Sequence, residues 1–436
     1  MMGAPDGAAL AALVEQLDRT QWATPEAVAE GQLRHLERLA RHGAAQSPDF
    51  ARRLQAAGLA PSDLGDRRGL TALPVQTRRD VQRAGDSLFC RTTPPGHGRV
   101  FESRTSGSTG EPVVVRRTGV NALFWMAMAM RDMRWHGRDL SGRLCSVGAR
   151  LPERHVAESW GWPASFFART GPMLVLPVTS DVAVLVDAIV DFAPTTLVVY
   201  PSTLAALVED CRRRRVSLPG LEHLLTIGET LSPAVRADAE DAFDVSLADL
   251  YSSEEVGHIA VQCPVSGLYH VAAEAVLAEV LDERGQPCTP GEVGRIVVTD
   301  LHNYATPLVR YDIGDYAEVG PACGCGRGLP TWSRVLGRER NLIRMPDGRR
   351  HWPLLGLRDS RDVAPVTQFQ VVQENAETVT ARLVVERPLS RAEEEQLRDR
   401  VRASLGHPFD VRFAYVDGRI PSGPTGKYEE FVCRVA

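Results

Sequence analysis

Between Gly142 and Tyr251 the chain alternates short apolar runs with longer amphipathic segments. "GRLCSVGA", "PMLVLPVT", "TTLVVY", "HLLTIG" and "SLADLY" have the length and continuous apolar character of buried strands. "DVAVLVDAIVDF", "STLAALVEDCRRRR" and "PAVRADAEDAF" lie among them and read as helices. Short apolar strands separated by helices predict a mostly parallel sheet covered on both faces. Residues 1–100 read as helical and loop-rich, with Leu33, Leu36 and Leu39 on one helical face. From Glu254 to Gly337 the texture changes to strands such as "GRIVVTDL" with turns such as "DERGQP" and "TPGEVG", which predicts antiparallel β-structure. The last hundred residues read as a small α+β unit. "TQFQVVQENAETVTARLVVE" alternates as a hairpin, and "FDVRFAYV" is a strand. In "SRAEEEQLRDRVRASLG", Ser390 and Glu393 suit a capping box, while Leu397, Val401 and Leu405 share a face.

Composition narrows the classes. A chain of 436 residues has length for two or three domains, and 44% hydrophobic with 24% charged residues is ordinary for a globular protein. The net charge of −5 argues against nucleic acid as a partner, and no apolar stretch reaches the length of a membrane span. The N-terminus lacks the basic segment of a secretory signal. Eight cysteines in this length imply no disulfide framework, so a reduced, cytoplasmic setting is expected. Arg212 to Arg215 read as the exposed last turn of a helix, where cations suit the dipole, rather than as a polyphosphate site.

Polar punctuation gathers where the apolar strands stop, and in α/β sheets ligands bind at those ends. The first such segment, "SRTSGSTGEPVVVRRT", packs Thr105, Ser106, Gly107, Ser108, Thr109 and Gly110 ahead of a valine run that reads as a strand. Glycines that admit backbone N–H groups, with hydroxyls beside them, suit an anion-binding loop better than a linker. No Lys follows Gly110, so it is not the standard P-loop. "TIGETLS", "LYSSEEVG" and "RYDIGD" follow at later strand ends, then "GRERNLIRMPDGR" and "PSGPTGK".

In this order the six motifs resemble those of the adenylate-forming enzymes: acyl-CoA synthetases, adenylation domains of peptide synthetases and luciferases. "LPVQTRRDVQ", "LYSSEEVGHIAVQCP" and "PLVRYDIGDYAEVGPACGCGR" resemble the phenylacetate–CoA ligase branch. The resemblance covers residues 35 to 432. It implies a large adenylating domain over 1–337, with a helical lead-in (1–100), an α/β core of mostly parallel strands flanked by helices (101–253) and a β subdomain (254–337). It further implies a hinge at 338–341 and a small mobile α+β domain over 342–436.

The resemblance also implies roles. Residues 105–110 cover the β- and γ-phosphates of ATP, although Glu111 stands where a lysine is common. Gly228, Glu229 and Thr230 flank adenine, and the ring of Tyr251 stacks on it. Glu255, four residues after Tyr251, binds Mg²⁺, with Glu254 as the neighbouring alternative. A carboxylate suits that ion, which takes one or two carboxylates plus phosphate. Asp315 takes the ribose hydroxyls, and Arg338 lies near ribose and α-phosphate. Arg340-Asn341 occupies the pivot, where Asp is common. Lys427 reaches the acyl carboxylate and the α-phosphate. Trp125, Trp160, Trp162, Phe166 and Phe167 lie in the right part of the chain to line an acyl pocket, or else belong to the core.

The implied reaction is ATP-dependent conversion of a carboxylic acid, aromatic by resemblance, to an acyl-adenylate with release of pyrophosphate, then transfer to the thiol of CoA. A carrier-protein thiol or an amine is the alternative acceptor, and an inactive nucleotide-binding scaffold is the non-catalytic alternative. A homodimer is compatible with this reading. Separately, Cys263, His270, Cys323 and Cys325 make a Cys₃His set suited to structural Zn²⁺, against a reduced thiol pair with a surface His.

Overall fold

The computed structural model describes residues 7–105, 112–148, 153–338, 342–347, 350–351, 363–420 and 429–435. A short antiparallel hairpin of β1 (Phe101–Arg104) and β2 (Val114–Arg117) leads into the main sheet. That sheet contains β3 (Leu144–Gly148), β4 (His155–Ala157), β5 (Met173–Pro177), β6 (Thr196–Val199), β7 (His223–Ile227) and β8 (Leu247–Ser253). It continues with β9 (Gly257–Gln262), β10 (Tyr269–Val271), β11 (Val276–Leu281), β12 (Val293–Asp300), β13 (Tyr311–Val319) and β14 (Thr331–Arg338). The strand order is β11-β12-β13-β14-β10-β9-β8-β7-β6-β3-β5-β4.

From β8 through β7, β6 and β3 to β5 all neighbours are parallel. These are the five strands whose apolar runs predicted a parallel sheet. Helices Val182–Phe192, Pro201–Arg214 and Pro233–Phe243 connect them, and Leu185, Ile189, Leu204, Val208 and Val235 pack with the strands in one apolar cluster. From β9 onward every pairing is antiparallel. Here the structure refines the sequence pattern. The antiparallel strands are hydrogen-bonded into the same sheet as the parallel ones, because β8 pairs parallel with β7 on one side and antiparallel with β9 on the other.

A second cluster packs helices Gly7–Thr20 and Gly119–Trp135 against the antiparallel half, with Leu10, Leu17, Met130, Ile259, Val298 and Tyr311 inside. In the lead-in, Leu36 and Leu39 are buried as their spacing predicts, and Leu33 is half-buried. The arginine run is a solvated, acid-paired helix end. Arg212 bonds Asp238 and Asp241, and Arg214 pairs with Asp187 and Asp210.

After the small β15 (Ile343–Arg344) and β16 (Arg350–His351), a separate four-stranded sheet holds β17 (Val366–Gln373), β18 (Thr378–Val385), β19 (Asp410–Tyr415) and β20 (Phe431–Cys433) in the order β19-β18-β17-β20. The Arg391–Leu405 helix buries Leu397, Val401 and Leu405 with Phe369, Val371 and Leu383 of that sheet. Its predicted capping box is present: Ser390 N–H donates to Glu393 at 2.7 Å, and Glu393 N–H donates to Ser390 Oγ at 3.3 Å. Among the described residues no helix is long and apolar enough to cross a membrane.

Candidate active site and a Cys/His cluster

The turn between β8 and β9 is the centre of the site. Strand β8 ends at Ser253, Gly257 begins β9, and Ser253 Oγ accepts the Val256 N–H at 3.1 Å to fix the turn. Gly257 has φ +100°, a conformation that L side chains rarely adopt, so the reversal needs glycine there. This turn buries Glu255, only 5% exposed, and leaves Glu254 in solvent. Burial raises the Glu255 carboxyl above its ordinary range, partly offset by Arg78 and Arg338.

Tyr251 projects from β8 and donates its hydroxyl to Asp315 Oδ2 at 2.7 Å. Burial, then the Asp315 charge, raises the Tyr251 phenol well above its ordinary value, so it remains a donor. Asp315 in β13 is directly opposite Arg338 in β14, and their side chains approach to 3.6 Å. Four predicted residues, Tyr251, Glu255, Asp315 and Arg338, thus converge on one end of the sheet.

Arg78 joins them without having been predicted. Its guanidinium lies 3.3 Å from Glu255 Oε1 and donates to Thr105 Oγ1 at 2.9 Å. The segment "LPVQTRRDVQ" explains how it gets there. Thr77 caps the Arg78–Ala84 helix through a capping box with Asp80. Just before it, Gln76 exchanges backbone bonds with the β13 strand, Gln76 N–H to Arg310 O at 2.8 Å and Asp312 N–H to Gln76 O at 2.9 Å. The helix therefore starts beside Tyr311, whose hydroxyl donates to Glu255 Oε1 at 3.4 Å.

Thr105 also accepts the Val113 N–H at 2.9 Å, which closes the base of the segment between them. Ser106, Gly107, Ser108, Thr109, Gly110 and Glu111 lie outside the described residues, as do the hinge residues 339–341 and Lys427. At the end of β7, Gly228 has φ +77° and a Cβ there would stand 2.9 Å from the Tyr200 ring, so that close approach also requires glycine. Glu229 accepts the Ser202 N–H at the start of the Pro201–Arg214 helix, and Thr230 is exposed. These three directly follow β7, the neighbouring strand. Of the aromatic candidates, Trp125 lies near the β8–β9 turn, with Cδ1 3.6 Å from where a Cβ of Gly257 would be. Trp160 is core, its indole bonded to Gly142 O. Trp162 and Phe166 stack on each other.

The sequence comparisons fit this geometry. A profile of the AMP-binding enzyme family matches residues 103–303, and one for the CapK C-terminal domain matches 361–434. A phenylacetate–coenzyme A ligase of Thermus thermophilus is 27% identical over 324 residues, spanning 71% of this chain and 69% of that protein. The Escherichia coli phenylacetate–coenzyme A ligase is 24% identical over 75% of each chain. The chain belongs to the adenylate-forming enzymes. It falls in their phenylacetate–CoA ligase-like branch and is an AMP-forming carboxylate ligase. The fold of the ligase is also that of a solved 2-hydroxyisobutyryl-CoA ligase in its postadenylation state, with a TM-score of 0.76 at 18% identity, covering 92% of this chain and 88% of that one.

Away from the adenylating site, the ligase brings Cys263, His270, Cys323 and Cys325 together. All four candidate ligand atoms lie within 4.8 Å of one another. Cys263 follows β9, His270 is in β10, and the two other cysteines precede β14, so three adjacent strands converge on the cluster. Cys263 Sγ and Cys323 Sγ are 3.8 Å apart, and Cys325 Sγ is 3.3 Å from His270 Nε2. Zn–S bonds of about 2.3 Å at tetrahedral angles place two sulfurs about 3.8 Å apart, so the donor set fits zinc.

Proposed function

We propose that this ligase converts an aromatic carboxylic acid to its acyl-adenylate and then to its CoA thioester. The observation that carries the reading is the convergence of Tyr251, Glu255, Asp315 and Arg338, with Arg78 and Thr105, on one end of the sheet. In the first half-reaction a carboxylate oxygen attacks the α-phosphorus of ATP, and the bond from that phosphorus to the pyrophosphate oxygen breaks. Tyr251 offers its ring to adenine while its hydroxyl holds Asp315 in place for the ribose hydroxyls. Arg338 adds positive charge beside ribose and α-phosphate. Arg78 and Thr105, at the base of the 105–110 loop, face the outer phosphates, whose remaining contacts come from that loop. Lys427 approaches the reacting carboxylate from the small domain, which turns about the 338–341 segment between the half-reactions. These groups act by positioning and by neutralising charge that builds up at phosphorus.

Glu255 suits a Mg²⁺ ligand because its buried carboxylate gains from a divalent cation what burial takes away. The ion, when bound with ATP, lowers the charge on the phosphates. Glu254, exposed, with its carboxylate accepting from Ser103 and its backbone carbonyl from Arg117, is the less suited of the two. The Cys/His set suits a structural Zn²⁺ that pins the β9–β10 turn to the segment before β14. With four protein ligands it has no open position for chemistry. The aromatic acid and the CoA acceptor are supported by the similarity to the phenylacetate–CoA ligases.

Pyrophosphate release over a panel of carboxylic acids, with and without CoA, tests the reading. Release that depends on an aromatic acid, with acyl-CoA as product when CoA is supplied, is expected. Release with no CoA thioester would move the acceptor to a carrier protein or an amine. Absence of release from any acid would overturn the activity.

A further inference from the structure

A narrow cleft opens beside the β8–β9 turn. Phe124, Trp125 and Met128 of the Gly119–Trp135 helix form its apolar wall, and Val256 and His258 face them from the turn and β9. Arg117, Asn121, Asp300 and His302, whose Nε2 lies 2.8 Å from the Glu274 carbonyl, complete its polar side. The enclosed space holds little more than a water molecule, too little for an aromatic ring but enough for one polar substituent.

His258 is the unusual member. It is 8% exposed, and its Nδ1 has no hydrogen-bond partner. Burial lowers its pKa to about 4, so the imidazole is neutral near pH 7 and presents one donor and one acceptor nitrogen. A buried ring nitrogen without a partner costs of the order of 1–3 kcal/mol, unless something the folded chain lacks completes it. The other polar groups make contacts within the chain. Asp300 accepts from Asn121 Nδ2 at 3.3 Å and from His302 N–H at 3.1 Å, and Arg117 donates to the Glu254 carbonyl. His258 stands opposite Ser252 in the β8–β9 pairing, next to Tyr251 and three residues from Glu255. The Trp125 ring meets it edge-on, with centroids 5.6 Å apart. That ring is 42% exposed, so the wall over His258 borders solvent.

We infer that His258 is a specificity-determining residue which hydrogen-bonds a ring substituent, a hydroxyl or an amino group, on the aromatic acid that the ligase activates. The inference rests on the proposed activation of an aromatic acid and names the substrate more narrowly. The exposed Trp125 ring at the mouth of the cleft takes the aromatic ring, and His258 takes its substituent. An acid without the substituent leaves the imidazole nitrogen unsatisfied, and a site built to bond a polar group discriminates against the analogue that lacks it.

The experiment measures kcat/KM for pyrophosphate release with benzoate and phenylacetate and with their monohydroxy and monoamino derivatives, in wild type, His258→Leu and His258→Asn. Wild type should favour at least one substituted acid over its parent by roughly 10-fold or more. His258→Leu should bring that ratio near one, mainly by slowing the substituted acid, and His258→Asn should restore part of it. A merely structural role would lower both acids together and leave the ratio unmoved. No preference in wild type, or an unchanged ratio in a His258→Leu protein that melts like wild type, overturns this inference while the carboxylate-activating reading stands. Absence of release from every acid overturns that reading and this one together.

Discussion

Replacing Glu255 by Gln separates the catalytic value of a buried carboxylate from its cost to the fold. The side chain is almost fully enclosed, 3.3 Å from Arg78 and 3.4 Å from the Tyr311 hydroxyl. Burial raises its carboxyl above the usual value, so the folded chain holds the proton more tightly than the unfolded chain does. Between the unfolded and the raised folded pKa the folded state binds more protons, and stability falls as pH rises through that interval. Once the carboxyl is ionised in the folded state, the protein carries the whole of that cost. An amide of nearly the same shape removes it, while Arg78 keeps Thr105 as a partner. Without ligands, Glu255→Gln should therefore melt no lower than wild type at pH 7. Any gain should vanish below about pH 4, where a wild-type carboxyl is protonated in both states.

The chemistry should move the other way. Losing one preorganised charged contact at a reacting centre costs roughly 10²–10³ in rate, about 2.7–4 kcal/mol. Single-turnover pyrophosphate release should slow by that factor in Glu255→Gln, and far less in the exposed Glu254→Gln. Swapped severities would refute the placement of the magnesium ligand. A melting temperature several degrees lower in Glu255→Gln would refute the electrostatic argument, because the pair with Arg78 would then be structural support.

Three further outcomes follow. Arg78→Ala should slow adenylation roughly 10- to 100-fold, as expected for one charge-assisted contact, and Arg78→Lys should recover only part, because a single ammonium cannot hold Glu255 and Thr105 in the same fork. Full activity in Arg78→Ala, in the same release assay, would remove it from the site. Purified protein washed with chelator should retain about one Zn²⁺ per chain, and Cys323→Ser should lose it together with several degrees of melting temperature but little intrinsic chemistry; no zinc with an unchanged melting temperature would sink the site. Lys427→Ala should slow acyl-AMP formation by roughly 10²–10³ and leave thioester formation from supplied acyl-AMP largely intact, and equal loss in both half-reactions, measured separately, would rule out a lysine that serves one arrangement of the small domain.

What could be read from the chain beforehand was local. Apolar runs of four to six residues gave the five parallel strands, because burial on both faces leaves no room for alternation. Ser390 and Glu393 gave a helix start, because a capping box is complete within four residues. Tyr251 and Glu255 were legible only through the resemblance of "LYSSEEVG" to a family motif, with Glu254 as the alternative. Arg78 was not, because it lies 177 positions from Glu255 and reaches it only through the pairing of Gln76 with β13. "LPVQTRRDVQ" announced the capped helix but not the partner across the sheet. His258 carried no signal either. A histidine in an apolar strand is ordinary, and only the cleft in front of it and the missing partner on Nδ1 set it apart.

The β8–β9 turn explains why so much falls in one place. Parallel strands all end on the same side of a sheet, and their loops gather ligand groups there. An antiparallel neighbour brings the chain straight back from that edge. At β8 the sheet changes from one mode to the other, so the turn after it belongs both to the ligand-gathering edge and to the start of a buried return strand. Glu255 occupies the first position and His258 the second, three residues apart. On the proposed reading, a single tight reversal holds both the carboxylate that would take Mg²⁺ and the neutral imidazole that would meet the ring substituent of the acid. It also couples the two. Gly257 carries the φ +100° between them and has the Trp125 ring over it. Gly257→Ala strains that conformation whatever space is free. It should therefore slow adenylation of every acid and disturb acid selection together, whereas His258→Leu should slow mainly the substituted acid.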